Sequence, residues 1–335
     1  MTLNHPNPQA MNSNHENKQK VKSALRCWYL TGATASGKTQ VSLELAKLLD
    51  AEIISLDSMA IYREMDIGTA KPTADQRANV AHHLLDIIDP NETFSISQYR
   101  PAALEKIEEI RERGKEVLFV GGTALYLKTL IRGMFEGPPA DWDFRNEIAA
   151  EVEQQGTEIL HQRLQMIDPV SAHNLHPNDQ RRIIRALEVY KSTGKPLSHW
   201  QLQFDESHNV DQCRVFTLRH PRPILHKRIE SRVEQMFDNG LVDEAKSLLA
   251  KWKELSKTAA QAVGYREAFA HLNDGIDMPT TIEKVKIRTR RFARHQETWF
   301  RGLSECRILD LESDFDPTDL AQEIFEIGIN AQLVE

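Results

Sequence analysis

Gly32-Ala33-Thr34-Ala35-Ser36-Gly37-Lys38-Thr39 sets two glycines, a lysine and a hydroxyl at the spacing GxxxxGK[ST]. Between a strand and a helix, such a loop turns backbone N–H groups and the helix N-terminus onto phosphate oxygens. Lys38 adds a point charge, and the Thr39 hydroxyl can ligate Mg2+. The chemistry is diphosphate binding, with Mg2+ as the expected cofactor. Asp57 closes the apolar run Ile53-Ile54-Ser55-Leu56. A carboxylate there can take a proton from a bound acceptor, or Asp57 or Ser58 can cap a helix. Thr123, after Gly121-Gly122, can face the same ligand or simply start a helix over 124–130. The aspartate that ordinarily closes a later strand to hold Mg2+ beside a P-loop is missing, because Val117-Leu118-Phe119-Val120 runs into Gly121-Gly122-Thr123. That counts against a kinase or ATPase and leaves room for a substrate whose diphosphate departs.

The elements that must hold these residues alternate. Short apolar runs at 27–30, 53–56, 117–120 and 214–218 read as strands. Val41, Leu45, Leu48 and Leu49, and the stretch from Ser97 to Arg113, read as helices. Strands alternating with helices predict an α/β fold, a P-loop NTPase-like parallel sheet flanked by helices, whose ligands gather at the carboxyl ends of the strands. From Gly137 the pattern becomes polar amphipathic helix, interrupted by Pro138-Pro139 and closing at Gly194-Lys195-Pro196. The expected organisation is a disordered tail over 1–24, a catalytic core over 25–136 and 214–335 with mostly helical C-terminal sequence, and a helical insertion over 137–213.

Composition narrows the class. The chain has 335 residues, 40% hydrophobic and 27% charged, with a net charge of -7, which fits a soluble globular protein. An acidic total means that nucleic acid would have to be met by local basic surfaces. One such surface is visible. As a helix, residues 282–300 carry an apolar stripe of Val285, Phe292 and Trp299. Lys284, Arg288, Arg291 and His295 lie along one flank, and Lys286, Arg290 and Arg294 along the other. Few acids offset them, and the expectation is phosphate contact through Arg288, Arg290, Arg291 and Arg294. Cys27, Cys213 and Cys306 show neither disulfide nor zinc spacing, and no segment has signal-peptide or membrane-spanning character. A cytoplasmic protein with no membrane partner is expected.

Several motifs occur together and in order. They are the glycine loop, Asp57-Ser58 with Ile61-Tyr62, Met65-Asp66-Ile67-Gly68-Thr69-Ala70-Lys71-Pro72, His83-Leu84-Leu85-Asp86, Gly121-Gly122-Thr123 with Leu125-Tyr126, and His176-Pro177-Asn178-Asp179 with Arg185-Ala186-Leu187-Glu188. From about Tyr29 to Trp299 the chain resembles the tRNA dimethylallyltransferase family of bacterial type. The resemblance implies a donor, dimethylallyl diphosphate, and an acceptor, N6 of adenosine 37 in the anticodon stem-loop of tRNAs reading codons that begin with U. It implies that Asp57 is the general base, that Thr123 holds the reacting groups and that Arg232 joins Lys38 on the diphosphate. It also sets Ser58, Met59 and Ala60, with Asp57 and Thr123, against RNA, together with Arg145, Arg181, Arg182, Arg185 and Gly264-Tyr265-Arg266. Ala33 stands where the family most often has Pro, and Met59 where Gln is common. A monomer is expected. Two rival readings are an adenylate isopentenyltransferase acting on free AMP, ADP or ATP and a P-loop small-molecule kinase. A non-enzymatic RNA-binding protein would leave Lys38, Asp57 and Thr123 unexplained.

Overall fold

A computed structural model describes residues 19–135, 137–201, 207–312 and 314–333. Its sheet has six strands, β1 (Trp28–Gly32), β2 (Ala51–Ser55), β3 (His82–His83), β4 (Glu116–Gly121), β5 (Arg214–Arg219) and β6 (Cys306–Asp310), in the order β3-β2-β4-β1-β5-β6. Every neighbouring pair is parallel, with Leu30 opposite Val120 on one side and Phe216 on the other. The period of two along the central strands fills both faces. Tyr29, Ile54, Phe119 and Val215 enter one core cluster, and Trp28, Leu30, Ile53, Leu118 and Phe216 enter the other. A sheet covered on both faces needs such near-continuous apolar strands.

Helices supply the covers. They begin with α1 (residues 19–25), α2 (Lys38–Leu49), α3 (Ala74–Asn79), α4 (Ile96–Glu112) and α5 (Ala124–Arg132). Val41, Leu45 and Leu49 of α2 pack on one face, and Tyr99, Ala103, Leu104, Ile107 and Ile110 of α4 on the other. One expectation needs correction here. Residues 19–25 are helical and not a disordered tail, because Ala24 and Leu25 are buried in the core beside Tyr29; the rest of the expected tail lies outside the described residues. The sequence after Ile224 is mostly helical, and within it Cys306–Asp310 adds the edge strand β6 against β5.

Two compact units divide the chain, one running to Ile131 and resuming at Ser207, the other covering Arg132–Glu206. Sequence reading put these boundaries at 137 and 213. Residues just past Ser207 instead belong with the sheet, as Asp211 accepts from Arg307 Nη2 at 2.6 Å and from Gln332 N at 2.9 Å. The second unit holds α6 (Trp142–Gln155), α7 (Glu158–Ile167), α8 (Pro169–Asn174), α9 (Gln180–Thr193) and α10 (Leu197–Gln201), with no strand among its described residues. Its core joins Ile148, Leu160, Leu164, Ile183 and Leu187.

The first unit then continues with α11 (Arg222–Asp238), α12 (Leu241–Lys251), α13 (Lys257–Ala260), α14 (Tyr265–Asp274), α15 (Met278–Arg301) and α16 (Pro317–Ile329). The Asp277 carboxylate caps α15 by accepting from Thr280 N at 2.8 Å. Thr281, Val285, Thr289, Ala293, Gln296 and Phe300 form the buried face of α15. Phe292 and Trp299, expected in its apolar stripe, are 44% and 42% exposed. Among the described residues no helix is long and apolar enough to cross a membrane.

Candidate active site

The glycine loop leaves β1 and ends at Gly37, whose left-handed backbone starts α2. Its carbonyls are held by side chains from several elements. Lys38 Nζ donates to Gly32 O at 3.0 Å, Ala33 O at 2.6 Å and Ser36 Oγ at 3.4 Å. Arg228 Nε on α11 donates to Ala35 O at 2.8 Å, and His220 Nε2 lies 3.2 Å from Ser36 O. Ala35 has φ +63°, a strained conformation for a residue with a Cβ, and the Arg228 bond helps hold it. The first N–H groups of α2 have no intrahelical partner and remain for an anion.

Two half-buried cations, Lys38 and Arg232, meet here with Asp57 as the carboxylate that attracts both. Burial first, then repulsion from Arg232, pulls the Lys38 ammonium down to about 7 against the attraction of Asp57. Burial also pushes the Arg232 guanidinium down, again opposed by Asp57, and its buried Nε has no hydrogen-bond partner among the described residues. Positions 38, 57 and 232 thus share one field. A diphosphate would add the negative charge that one carboxylate shared by two cations leaves short.

Asp57 and Thr123 come together because β2 and β4 are adjacent and their exits almost touch. A Cβ on Gly121 would lie 2.2 Å from Leu56 O, so only glycine permits the approach. Thr123 N donates to Leu56 O at 3.1 Å, and Ser58 N donates to Thr123 Oγ1 at 3.1 Å. Asp57 Oδ1 accepts from Met59 N at 2.8 Å and Ala60 N at 3.3 Å, capping a turn and not a helix. Among the described residues Oδ2 makes no hydrogen bond. One carboxylate can therefore both shape its loop and offer an oxygen to an acceptor proton. Tyr126 stacks on Tyr99 at 3.8 Å between ring centroids, and burial followed by the Asp57 charge pushes its phenol up, which keeps it protonated.

The segment after Asp57 is braced from below. Lys71 Nζ, almost wholly buried, donates to Asp66 Oδ1 at 2.7 Å and to Tyr62 O and Asp86 Oδ1, both at 2.5 Å. Glu244 on α12 accepts from Asp66 N and Ile67 N. Tyr265 donates to Glu244 and accepts from Gly68 N at 3.2 Å. Tyr265 is 0% exposed, so it braces this loop from within the core and offers no surface to RNA. Gly264 is its helix cap, and Arg266 is exposed.

The remaining expected RNA residues divide by partner. On α15, Arg288 donates to Glu267 at 2.7 Å and Gln261 O at 2.8 Å, and Arg290 to Glu230 at 2.7 Å and Glu283 at 3.0 Å. Arg291 and Arg294 are exposed and make no ion pair among the described residues. In the second unit Arg145 and Arg185 both bind Glu188, which is 0% exposed. Arg182 pairs with Asp179 at 3.0 Å, whereas Arg181 is exposed and makes no ion pair among the described residues. Met59 packs at the edge of the third core cluster and Ala60 is buried.

Four residues of this site carry no assignment from the sequence: His220, Arg228, Glu244 and Gln296, whose side-chain amide bonds Thr34 N and Gly122 O. Only Gln296 carries a local signal, a polar residue on the apolar face of α15 between Ala293 and Phe300. For Mg2+ the fit is of one kind. Among the described residues no three His, Cys, Asp or Glu side chains cluster to cage a metal. Thr39, the second residue of α2, leaves an ion that takes most of its ligands from phosphate oxygens and water, as Mg2+ commonly does.

A parallel sheet with a P-loop at its carboxyl edge, a half-buried lysine–arginine pair and a neighbouring carboxylate define a group-transfer enzyme that handles a diphosphate. The family model described as IPP transferase matches residues 60–303. A tRNA dimethylallyltransferase of Rhodopirellula baltica is 50% identical over 297 residues, 86% of this chain and 89% of its own, and one of Geobacter metallireducens is 40% identical over 89% and 96%. Among solved structures, the tRNA isopentenylpyrophosphate transferase of Bacillus halodurans aligns at TM-score 0.64 and 38% identity, covering 91% and 97%. A eukaryotic dimethylallyltransferase acting on tRNA aligns at TM-score 0.71 and 27% identity, covering 88% and 75%. The chain belongs to the tRNA dimethylallyltransferase family.

Proposed function

We propose that this chain transfers the dimethylallyl group of dimethylallyl diphosphate to N6 of adenosine 37 in the anticodon stem-loop of tRNAs reading codons that begin with U, giving N6-(dimethylallyl)adenosine. The observation that carries the reading is the pair of half-buried cations, Lys38 and Arg232, that share the single carboxylate of Asp57, whose Oδ2 makes no hydrogen bond among the described residues. Breaking the allylic C–O bond puts negative charge on the departing diphosphate and positive charge on the dimethylallyl carbons. Lys38, Arg232 and the amides at the start of α2 stabilise the first of these. N6 forms the new C–N bond, and Asp57 Oδ2 takes its proton, with Thr123 keeping the Asp57-Ser58 turn in place. Mg2+, held by Thr39 with phosphate oxygens and water, would neutralise further charge on the leaving group.

The acceptor adenine must leave its stack to reach this carboxylate, at a cost of a few kcal/mol that RNA contacts offset. Arg181, Arg266, Arg291 and Arg294 are the expected cations free to make them. The reading includes a monomer acting in the cytoplasm. It is tested by offering labelled dimethylallyl diphosphate with unmodified tRNA or with AMP. Label on the adenosine beside the anticodon supports it, and label on AMP alone overturns it in favour of an adenylate transferase.

A further inference from the structure

Gln296 joins two segments that carry opposite ends of the chemistry. Its Oε1 accepts from Thr34 N of the glycine loop at 2.9 Å, and its Nε2 donates to Gly122 O, next to Thr123, at 2.9 Å. The side chain reaches both from the buried face of α15 and is 7% exposed as a residue. Space beside it is closed, since a Cβ on Gly122 would lie 2.2 Å from Gln296 Nε2. Thr123 in turn binds Ser58 N, next to Asp57. A chain of bonds therefore runs from the diphosphate loop through Gln296, Gly122 and Thr123 to the carboxylate.

We infer that Gln296 is a positioning residue that sets the separation between the diphosphate loop and the Asp57–Thr123 side, and hence the distance over which the dimethylallyl carbon meets N6. The inference rests on the proposed transfer reaction. Its physical basis is that an amide is the one side chain of this length that donates and accepts at once without charge, which matches one N–H and one carbonyl in a buried place. Two separate loops held by separate contacts would drift, and a misplacement near 1 Å lowers a transfer rate by about 10²-fold. The same helix presents Arg291 and Arg294 outward, so an RNA held there would bear on the helix that holds the clamp.

The test compares wild type, Gln296→Ala and Gln296→Glu in the dimethylallyl diphosphate and tRNA assay, with tRNA binding and thermal unfolding measured in parallel. Gln296→Ala is expected to lower kcat about 10- to 100-fold while tRNA affinity stays within about twofold. Gln296→Glu separates positioning from a general loss of packing. Its carboxylate still accepts from Thr34 N but faces the Gly122 carbonyl, and only the protonated acid can donate there. Its kcat should therefore rise relative to wild type as pH falls from about 8 to about 6, because burial against a carbonyl raises its pKa into that range. A wild-type kcat in Gln296→Ala, or a Gln296→Glu pH profile parallel to wild type, overturns the inference. A wild-type protein that labels no tRNA instead overturns the reaction on which it rests.

Discussion

Lys38 and Arg232 lie close enough that Arg232 helps to lower the Lys38 ammonium to about 7, with burial as the larger cause. In the ligand-free protein Lys38 loses its proton above about pH 7, whereas in an unfolded chain it keeps it to about 10.5. A bound diphosphate restores the charge. Between these values diphosphate binding should take up a proton, and affinity should weaken as pH rises. Calorimetric titration of inorganic diphosphate near pH 8 in buffers of different ionisation enthalpy measures the uptake, and an enthalpy independent of buffer counts against a lowered Lys38. The folded protein binds fewer protons than the unfolded chain in the same window. This group's contribution to stability therefore increases as pH rises from about 7 to about 10.5.

Arg232 extends the argument to stability. Its buried Nε has no hydrogen-bond partner among the described residues, and an unsatisfied buried polar group costs about 1–3 kcal/mol. Arg232→Met keeps much of the stem and removes the charge. The ligand-free variant is expected to melt higher than wild type, and saturating diphosphate should stabilise it far less. A variant that melts lower without ligand would show that the guanidinium contributes to the resting fold.

Asp57 carries two duties that a single substitution separates. Asp57→Asn keeps an oxygen for Met59 N and Ala60 N, so the turn should survive with stability changed by less than about 0.5 kcal/mol. It removes the proton acceptor, and single-turnover transfer should fall by about 10²–10⁴-fold with tRNA affinity retained. Near-normal transfer by the variant would leave Asp57 as a turn cap and nothing more.

Tyr265→Phe tests whether the Tyr265 segment is scaffold or RNA surface. The lost hydroxyl bonds Glu244 and Gly68 N inside the core, so unfolding free energy should drop by about 1–3 kcal/mol. The salt dependence of tRNA binding should not change. A changed salt slope with unchanged stability would move Tyr265 back to the interface.

What sequence could reveal followed the range of each interaction. The glycine loop is contiguous, and its strand and helix flank it, so Gly32 to Thr39 and the parallel sheet were legible from local pattern. Asp57 and Thr123 were legible as residues at strand ends, but their mutual bond through Ser58 depends on β2 and β4 being neighbours. Arg232 came from resemblance alone, since nothing in the spacing of α11 distinguishes it from Arg228. β6 was missed because Cys306–Asp310 is a half-exposed edge strand with Arg307 and Asp310 in it, and its burial comes from β5 on one side only. Two features of α15 depend on elements outside its own sequence. Phe292 and Trp299 share a helical stripe but face outward, and the acids that engage Arg288 and Arg290 are Glu267 and Glu230, on α14 and α11, in addition to the local Glu283.

Those partners reorder the expectation for RNA binding by α15. Arg290 pairs with Glu230 and Glu283, and Arg288 with Glu267, so releasing either to a phosphate would leave a carboxylate behind. Arg291 and Arg294 are exposed and make no ion pair among the described residues, so meeting a phosphate would break none of those pairs. Each phosphate contact displaces condensed counterions and steepens the dependence of log affinity on log salt by about 0.7–0.9. Replacing both Arg291 and Arg294 with Gln should therefore weaken tRNA binding, flatten the slope by about 1.4–1.8 if both are engaged, and leave the Michaelis constant for dimethylallyl diphosphate unchanged. Arg290→Gln should lower the melting temperature and alter the slope little. The opposite pattern, a slope that responds to Arg290 and ignores Arg291 and Arg294, would mean that the α15 ion pairs open when RNA binds. An unchanged slope in both variants would shift the phosphate contacts to Arg181 and Arg266.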